Sequence, residues 1–320
     1  MLKTEVICLC FCYNQNVNPK TKLTNDQIKK ICQSHSIPYK SHERITTGFS
    51  HELHKLNDDL VIKVYDPDFK RNFQTEAALL GSNIDFPKPK LIASGCLEDG
   101  RYYIIMSFVP GWSLGGRWHI ATNEQRESLI EEISHALKTI NTINPALINA
   151  DKSQSWQLTM NKACNRLIDK LYAKHNIDGE TAQKTRKAVN CYTKVLANDK
   201  QFVVFWDIHF DNFIVDDDFK LLAVIDLESP ILTSLDYPIF VLEKMTHLPH
   251  RYLREDEEKY AVVNDYKNLK DLYRKYYPEM FDFENLDIRL KLYQLRDILH
   301  LLQYWSKNQE NHHELARLIA

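Results

Sequence analysis

The sequence has no excess of basic charge and no long apolar run. Its 41 lysines and arginines face 43 aspartates and glutamates, which leaves a formal net charge of −2. A nucleic-acid-binding protein normally carries a basic patch or stripe. A membrane-spanning helix needs about 20 consecutive apolar residues. We therefore expect neither a nucleic-acid partner nor a membrane partner.

The seven cysteines show no framework spacing, and internal repeats and low-complexity tracts are absent. An odd number of irregularly spaced cysteines is typical of a protein in a reducing compartment rather than of a disulfide scaffold. The remaining composition, 44% hydrophobic and 26% charged, is that of an ordinary globular protein. We therefore expect a cytoplasmic protein of one large domain or two lobes. The composition does not indicate the oligomeric state.

Strand-like stretches dominate the first third of the chain. Turn signals separate five of them between residues 43 and 106, and the helical pattern DFKRNFQTEAALLGS lies between the third and the fourth. After Pro110 the pattern becomes mainly helical. The sequence therefore predicts an α+β fold with three parts. Residues 1–42 form a leader and a short helix, residues 43–106 a five-stranded antiparallel sheet with one helix, and residues 107–320 a mainly helical lobe.

The stretch FVVFWDIHFDNFIVDDD places polar side chains at the ends of apolar runs. Asp207 follows the first run, Asn212 comes five residues later, and Asp226 ends the next strand-like run. Because a hairpin can bring its open ends together, Asn212 and Asp226 can reach one ion. Mg²⁺ prefers oxygen ligands and takes one or two carboxylates plus substrate phosphates. Asp207 then stays available to orient a hydroxyl group and accept its proton. The D-x4-N spacing alone would occur often by chance.

A lysine lies in the middle of the apolar strand VIKVY. Strand alternation places Lys63 on the same face as Val61, and Glu76 on the next helix is suitably placed to pair with it. Such a pair holds the α- and β-phosphates of ATP in kinases. Val61 would then cover the adenine, with Ile214 and Ile225 as the apolar floor. The alternative for Lys63 is a snorkelling lysine on an edge strand.

Taken in order, these motifs resemble the aminoglycoside phosphotransferase family, the small-molecule branch of the protein-kinase-like fold. The similar stretches lie mainly between about residues 43 and 245 and are DLVIKVY, FQTEAALL, FPKPKLIASG, YIIMSFVPGWSL, FWDIHFDNFIV and LLAVIDLESPILTSLDYP. The resemblance implies a two-lobed protein-kinase-like fold. It also implies transfer of the γ-phosphate of ATP, or alternatively of GTP, to a hydroxyl group of a small molecule, with Mg²⁺ as the metal.

The resemblance further implies roles for individual residues. Asp207 would be the catalytic base, Asn212 and Asp226 the magnesium ligands, and Lys63 with Glu76 the phosphate clamp. Gly48 would lie in the loop over the phosphates. The backbone of Ser107 and Val109 would hydrogen-bond the adenine.

The chain departs from the family pattern in the catalytic loop. The family usually has His-Gly-Asp where this chain has Phe205-Trp206-Asp207. The missing His normally braces the second metal-binding segment, and a Trp in place of the Gly is expected to crowd the loop. Further along, Asp236 resembles a structural aspartate that braces the catalytic loop.

Two other functions fit parts of the pattern. A protein kinase would need a longer segment between Asp226 and Asp236 to dock a peptide, and His209 after the base suits a small-molecule enzyme better. A nucleotide-binding pseudokinase or regulatory module without turnover is the alternative that the altered residues Phe205 and Trp206 leave open.

The acceptor is open among three classes. Aminoglycosides are polycations, which the acidic run REDEEK at residues 254–259 would attract. Choline or ethanolamine would instead need an aromatic cage, for which DLYRKYYPEMF at residues 271–281 and the pair Tyr304-Trp305 offer material. An aminoglycoside-like molecule, an amino alcohol and a sugar are therefore the candidate small-molecule acceptors.

Overall fold

The computed structural model describes residues 22–45, 51–254 and 257–320. Gly48, the predicted loop glycine, lies outside the described residues, as does part of the acidic run at residues 254–259. All the other predicted site residues are described.

The first part of the described chain is a helix followed by a five-stranded sheet with a second helix. Its elements are α1 (Asn25–Ser34), β1 (His42–Ile45), β2 (Glu52–Leu56), β3 (Leu60–Tyr65), α2 (Lys70–Leu80), β4 (Leu91–Cys96) and β5 (Tyr102–Ser107). The strand order is β1-β2-β3-β5-β4, and every neighbouring pair is antiparallel. The predicted five-stranded antiparallel sheet with one helix between its third and fourth strands is confirmed.

Helix α1 covers one face of this sheet. It begins at a capping box, in which the Thr24 side chain accepts from the Gln27 N–H and the Gln27 side chain accepts from the Thr24 N–H. Its apolar side packs with Ile62 and Val64 of β3. Because side chains alternate along a strand, Lys63 and its neighbours two residues away face the opposite side of the sheet, toward the rest of the molecule.

The remainder of the described chain is mainly helical, as predicted. Its elements are β6 (Trp112–Ser113), α3 (Leu114–Arg117), α4 (Asn123–Asn141), α5 (Trp156–Ala173), α6 (Gly179–Tyr192), β7 (Phe202–Val204), β8 (Phe213–Val215), β9 (Leu221–Val224), β10 (Ile231–Thr233), α7 (Ile239–His247), α8 (Val263–Tyr266), α9 (Leu269–Tyr276), α10 (Leu286–Tyr304) and α11 (Gln309–Ile319). Two small sheets interrupt the helices: β7 pairs with β10, and β8 lies between β6 and β9. Within the described residues, no helix is both long and apolar enough to cross a membrane.

The hydrophobic core is continuous between the sheet and the helical part. One cluster of buried side chains includes Tyr65 of β3 and Ile104 of β5 together with Leu292 and Leu299 of α10. The face of the sheet that carries Lys63 therefore lies against the helical part, and the site described below forms where the two meet.

Candidate active site

A cleft of about 360 Å³ lies between the five-stranded sheet and the helical part. It collects most of the residues that the sequence analysis selected. Those that line it are Val61, Lys63, Glu76, Ser107, Val109, Asn212, Ile214, Ile225 and Asp226. Asp207 is described but is not among the lining residues, whereas His209 and Asp211 of the same loop are.

Lys63 is buried in the middle of the sheet and is paired with Glu76. The distance from Lys63 Nζ to Glu76 Oε2 is 2.7 Å, and the Tyr65 hydroxyl donates to the same oxygen. Lys63 is only 4% exposed, and β3 lies between β2 and β5 rather than at an edge. A snorkelling lysine on an edge strand is therefore excluded, because such a side chain would reach solvent.

Two further carboxylates contact the same lysine. Asp226 Oδ1 lies 2.5 Å and Glu228 Oε2 lies 3.0 Å from Lys63 Nζ. Burial lowers the pKa of Lys63, but the charges of Asp226, Glu228 and Glu76 outweigh it and raise the pKa well above its ordinary value. Lys63 therefore stays charged and holds three carboxylates that would otherwise repel one another.

Glu228 is a site residue that the sequence analysis missed. Its Oε2 also lies 2.7 Å from Nε2 of His51, and both side chains are almost fully buried. Burial raises the pKa of Glu228, but Lys63 and His51 together lower it to about 2. Its position two residues after Asp226 was the signal that could have identified it. One oxygen each of Glu76, Asp226 and Glu228 lie within 4.8 Å of one another, an oxygen set that suits a hard cation.

The β8–β9 hairpin brings Asn212 close to the end of β9. The Ile225 N–H donates to the Asn212 carbonyl at 2.9 Å, and Asp226 follows directly with a φ of 59°. Aspartate is one of the few side chains that adopt this left-handed conformation readily. The Asn212 side-chain amide donates to the main-chain carbonyl of Asp207 at 2.8 Å, which orients it and leaves its Oδ1 for another partner.

Asp207 is buried beside His209. Burial, with a smaller contribution from the charges of Asp226 and Glu228, raises the pKa of Asp207 to about 6. His209 Nε2 lies 3.6 Å from Asp207 Oδ1 and opposes that shift. Asp211, by contrast, lines the cleft and accepts a hydrogen bond from the Ser113 hydroxyl at 2.5 Å. The two carboxylates of the loop therefore occupy different environments.

The two unusual residues before Asp207 are packed away from the cleft. Phe205 meets Phe213 edge to face, with 6.5 Å between ring centroids. The Trp206 ring is stacked on Phe240 of α7, and its indole N–H donates to the Ser229 carbonyl at 2.9 Å. The indole therefore occupies an apolar site beside α7 and does not line the cleft.

The predicted adenine contacts surround the apolar part of the cleft. Val61 lies on the sheet side, and Ile214 and Ile225 lie on the helical side. The Ser107 N–H already donates to the Lys90 carbonyl at 2.9 Å. The main chain of Ser107 can therefore offer a nucleotide its carbonyl only, and a backbone N–H donor would have to come from Val109.

Asp236 is fully buried, and its hydrogen bonds run to α10. It accepts from Arg289 Nε at 2.5 Å and from the Tyr293 hydroxyl at 3.0 Å. Arg289 also donates to Asp199 and to Ser234. This network joins α10 to the segment after β10. None of these hydrogen bonds runs to the catalytic loop, so the bracing of that loop by Asp236 stays a prediction.

Solved structures of aminoglycoside phosphotransferases are similar to this chain over nearly its whole length. The GDP and kanamycin complex of APH(2")-IIia has a TM-score of 0.65 at 14% identity, over 91% of this chain and 96% of that chain. The streptomycin–ATP ternary complex of APH(2")-IIa has a TM-score of 0.65 at 14% identity, over 95% and 97%. A thermostable mutant of APH(4)-Ia with AMP-PNP and hygromycin B has a TM-score of 0.61 at 12% identity, over 91% and 94%.

At such low identity these matches bear on the fold, and they confirm the predicted kinase-like α+β architecture. A comparison with curated proteins finds no significant match. Among models of protein families, that of the phosphotransferase enzyme family matches residues 42–229, which is more than half of the chain and contains every predicted site residue. The chain belongs to the phosphotransferase enzyme family.

Proposed function

We propose that the protein transfers the γ-phosphate of ATP to a hydroxyl group of a small molecule. The observation that carries this proposal is the convergence on one cleft of the Lys63–Glu76 pair, Asn212 and Asp226. GTP is the alternative nucleotide. The relatives cited above were solved with GDP, ATP or AMP-PNP, which supports a nucleotide in the corresponding cleft.

The cleft residues divide the work of such a reaction. Lys63 would hold the α- and β-phosphates while Glu76 fixes its position. Asn212 and Asp226 offer the oxygen ligands that fit Mg²⁺, and the bound ion would neutralise charge on the phosphates. The acceptor oxygen attacks the γ-phosphorus, the bond to the β–γ bridging oxygen breaks, and nucleoside diphosphate leaves. The acceptor's hydroxyl proton passes to Asp207.

The acceptor class stays a proposal among small hydroxyl compounds. Relatives bind kanamycin, streptomycin or hygromycin B, which favours an aminoglycoside-like acceptor. In this chain the part of the acidic run that is described is compensated, because Glu257 pairs with Arg254, which itself lines the cleft. The aromatic alternative has less support, since Tyr273 and Tyr277 are buried in the hydrophobic core. An amino alcohol bound by those rings is therefore the weaker candidate.

The second candidate function is a nucleotide-binding module without turnover. One observation favours it: Asp207 is not part of the cleft lining. Against it, the lysine, its glutamate partner and the two candidate metal ligands are all present on the cleft. Both functions predict nucleotide binding, and only the first predicts turnover.

Mg·ATP is expected to raise the melting temperature by about 4 °C when the ligand is present at about 100 times its Kd. The physical reason is that a ligand that binds only the folded state stabilises that state. The measurement is a thermal-shift titration with ATP, GTP and AMP, each with magnesium and with EDTA. No shift with either triphosphate in the presence of magnesium would rule out both candidate functions.

Phosphoryl transfer from labelled ATP is expected with at least one acceptor class. The panel consists of aminoglycosides, choline and ethanolamine, sugars, and hydroxy-amino acids. Its matched control is Asp207→Asn on the same panel, which separates turnover at this site from a contaminating kinase. If the protein binds Mg·ATP but transfers phosphate to none of the compounds in the panel, the binding module is favoured.

A further inference from the structure

We propose that Trp206 is a positioning residue that holds the metal-binding segment, residues 226–229, against the catalytic loop; the inference rests on the proposed function. The Trp206 indole N–H donates to the main-chain carbonyl of Ser229 at 2.9 Å. Ser229 follows Asp226 by three residues, in the connection between β9 and β10. One side chain therefore joins the residue before Asp207 to the segment that carries a candidate metal ligand.

The hydrogen bond extends the pairing of two strands beyond the point where the strands end. β7 and β10 are antiparallel, with Val204 opposite Ile231 at the end of the ladder. The same register, continued by two residues, puts Trp206 opposite Ser229. A side-chain donor thus acts where main-chain pairing has stopped, and it sets the spacing between the catalytic loop and the metal-binding segment.

Packing fixes the indole in the orientation that this hydrogen bond needs. The ring is stacked on Phe240, with centroids 6.2 Å apart and planes inclined by 18°, and it lies 6.1 Å from Tyr237. Trp206 is only 7% exposed. A buried indole normally directs its N–H at an acceptor. Since this acceptor is a main-chain carbonyl, the hydrogen bond acts on the path of the chain.

The metal-binding segment needs such a restraint. Asp226 has a φ of 59°, a conformation that aspartate adopts more readily than most residues but that is still sparsely populated, so contacts around Asp226 help to maintain it. Lys63 holds the Asp226 carboxylate from the sheet side, at 2.5 Å. Trp206 holds the main chain three residues later from the helical side. Removing either contact leaves the carboxylate less precisely placed for a cation.

The test is the magnesium dependence of nucleotide binding in Trp206→Phe. Phenylalanine keeps an apolar ring beside α7 but removes the donor together with part of the buried ring, and the control variant below accounts for the lost volume. Calorimetric titrations with ATP at stepped magnesium concentrations are expected to show a half-saturating magnesium concentration about three- to tenfold above wild type. ATP affinity at saturating magnesium stays near the wild-type value, because the Lys63–Glu76 pair is untouched.

Trp118→Phe is the matched control. Trp118 is also buried, and its indole N–H donates to a main-chain carbonyl, that of Asp265, at the same 2.9 Å. Its ring packs on Phe210 of the catalytic loop, with centroids 4.5 Å apart, so the control also accounts for a general loosening of that loop. This variant is expected to lose stability without a change in the magnesium midpoint. An unchanged midpoint in Trp206→Phe, or an equal increase in both variants, would overturn the inference. Wild-type protein that binds no nucleotide at any magnesium concentration would overturn the proposed function, and this inference with it.

A second measurement is made on the wild-type protein and does not require Trp206 to be substituted. Solvent exchange of the Trp206 indole N–H, followed by NMR, is expected to slow when Mg·ATP binds, because the ion rigidifies the segment that accepts the hydrogen bond. The Trp118 indole N–H serves as the internal reference and should not change. Assignment follows from Trp→Phe variants of the other four tryptophans. If Mg·ATP leaves the exchange of the Trp206 indole unaltered, Trp206 is merely part of the core.

Discussion

Asp207→Asn is expected to lower the phosphoryl-transfer rate about 10²- to 10⁴-fold while Mg·ATP affinity stays close to wild type. The substitution removes the group that orients the acceptor hydroxyl and takes its proton. It leaves the Lys63–Glu76 pair intact, and the hydrogen bond from the Asn212 amide to the main-chain carbonyl of residue 207 does not depend on the substituted side chain. The measurement is a comparison of kcat, KM and nucleotide Kd for the two proteins.

Asp226→Asn is the contrasting variant and should weaken the Mg·ATP complex itself. The first effect of losing the Asp226 carboxylate is a higher magnesium concentration for half-maximal ATP binding, because Asp226 would supply charge directly to the ion. Asp217→Asn is the matched control, since Asp217 lies on the turn of the β8–β9 hairpin with its side chain 85% exposed. Near-wild-type turnover by Asp207→Asn together with an inactive Asp211→Asn would make Asp211, which does line the cleft, the base instead.

The pH profile gives the base assignment a second readout. Burial raises the pKa of Asp207 to about 6, so the carboxylate that accepts the proton is lost as the pH falls through that value. We expect kcat/KM of the wild-type protein to fall on the acid side with a midpoint near 6. The residual kcat/KM of Asp207→Asn should not show this decrease on the acid side. A profile that stays flat down to pH 5 or so would contradict the role of Asp207.

Lys63→Met is expected to abolish productive nucleotide binding and to lower the free energy of unfolding by about 3–5 kcal/mol at pH 7. The substitution leaves the carboxylates of Glu76, Asp226 and Glu228 close together without the cation that contacts all three. Urea unfolding and ATP titration measure the two effects. Lys220→Met is the matched control: its pair with Glu132 is exposed, so its effect should stay within about 0.5 kcal/mol.

The stability difference between wild type and Lys63→Met should depend on pH in a defined direction. The pKa of Glu228 is lowered to about 2 in the folded wild-type protein, so its contribution to stability is present above its ordinary value, 4.5, and is lost as the pH falls toward 2. The difference is therefore largest near neutral pH and shrinks with acidification below about 4.5. Unfolding curves at pH 7 and pH 4 or so test it. An unchanged free energy of unfolding in Lys63→Met, or Mg·ATP binding by this variant at wild-type strength, would contradict the role of Lys63 in the phosphate clamp.

Local patterns in the sequence were sufficient to predict the N-terminal sheet and its helix. Alternation in VIKVY put Lys63 and Val61 on one face, and the structure places both on the cleft. The short helix predicted within residues 1–42 is α1, which begins at the capping box of Thr24 and Gln27. These features depend on residues close together in the chain, whose spacing is fixed by strand and helix geometry alone.

The pairing of Lys63 with Glu76 was also predictable, because thirteen residues separate a strand from the helix that follows it. The approach of Asn212 to the end of β9 followed from hairpin geometry in the same way. Single-sequence patterns were adequate for these contacts since each joins elements that are adjacent in the chain.

Contacts that depend on how the two parts of the molecule come together were decided only by the tertiary structure. Lys63 and Asp226 are 163 residues apart, and nothing local in either stretch indicates that they touch. The meeting of His51 with Glu228 across the cleft is of the same kind. From the sequence alone, Trp206 was expected to crowd the loop. Its position beside α7 and its hydrogen bond to Ser229 are set by packing, which the sequence does not indicate. The raised pKa of Asp207 likewise comes from burial, which only the assembled fold provides.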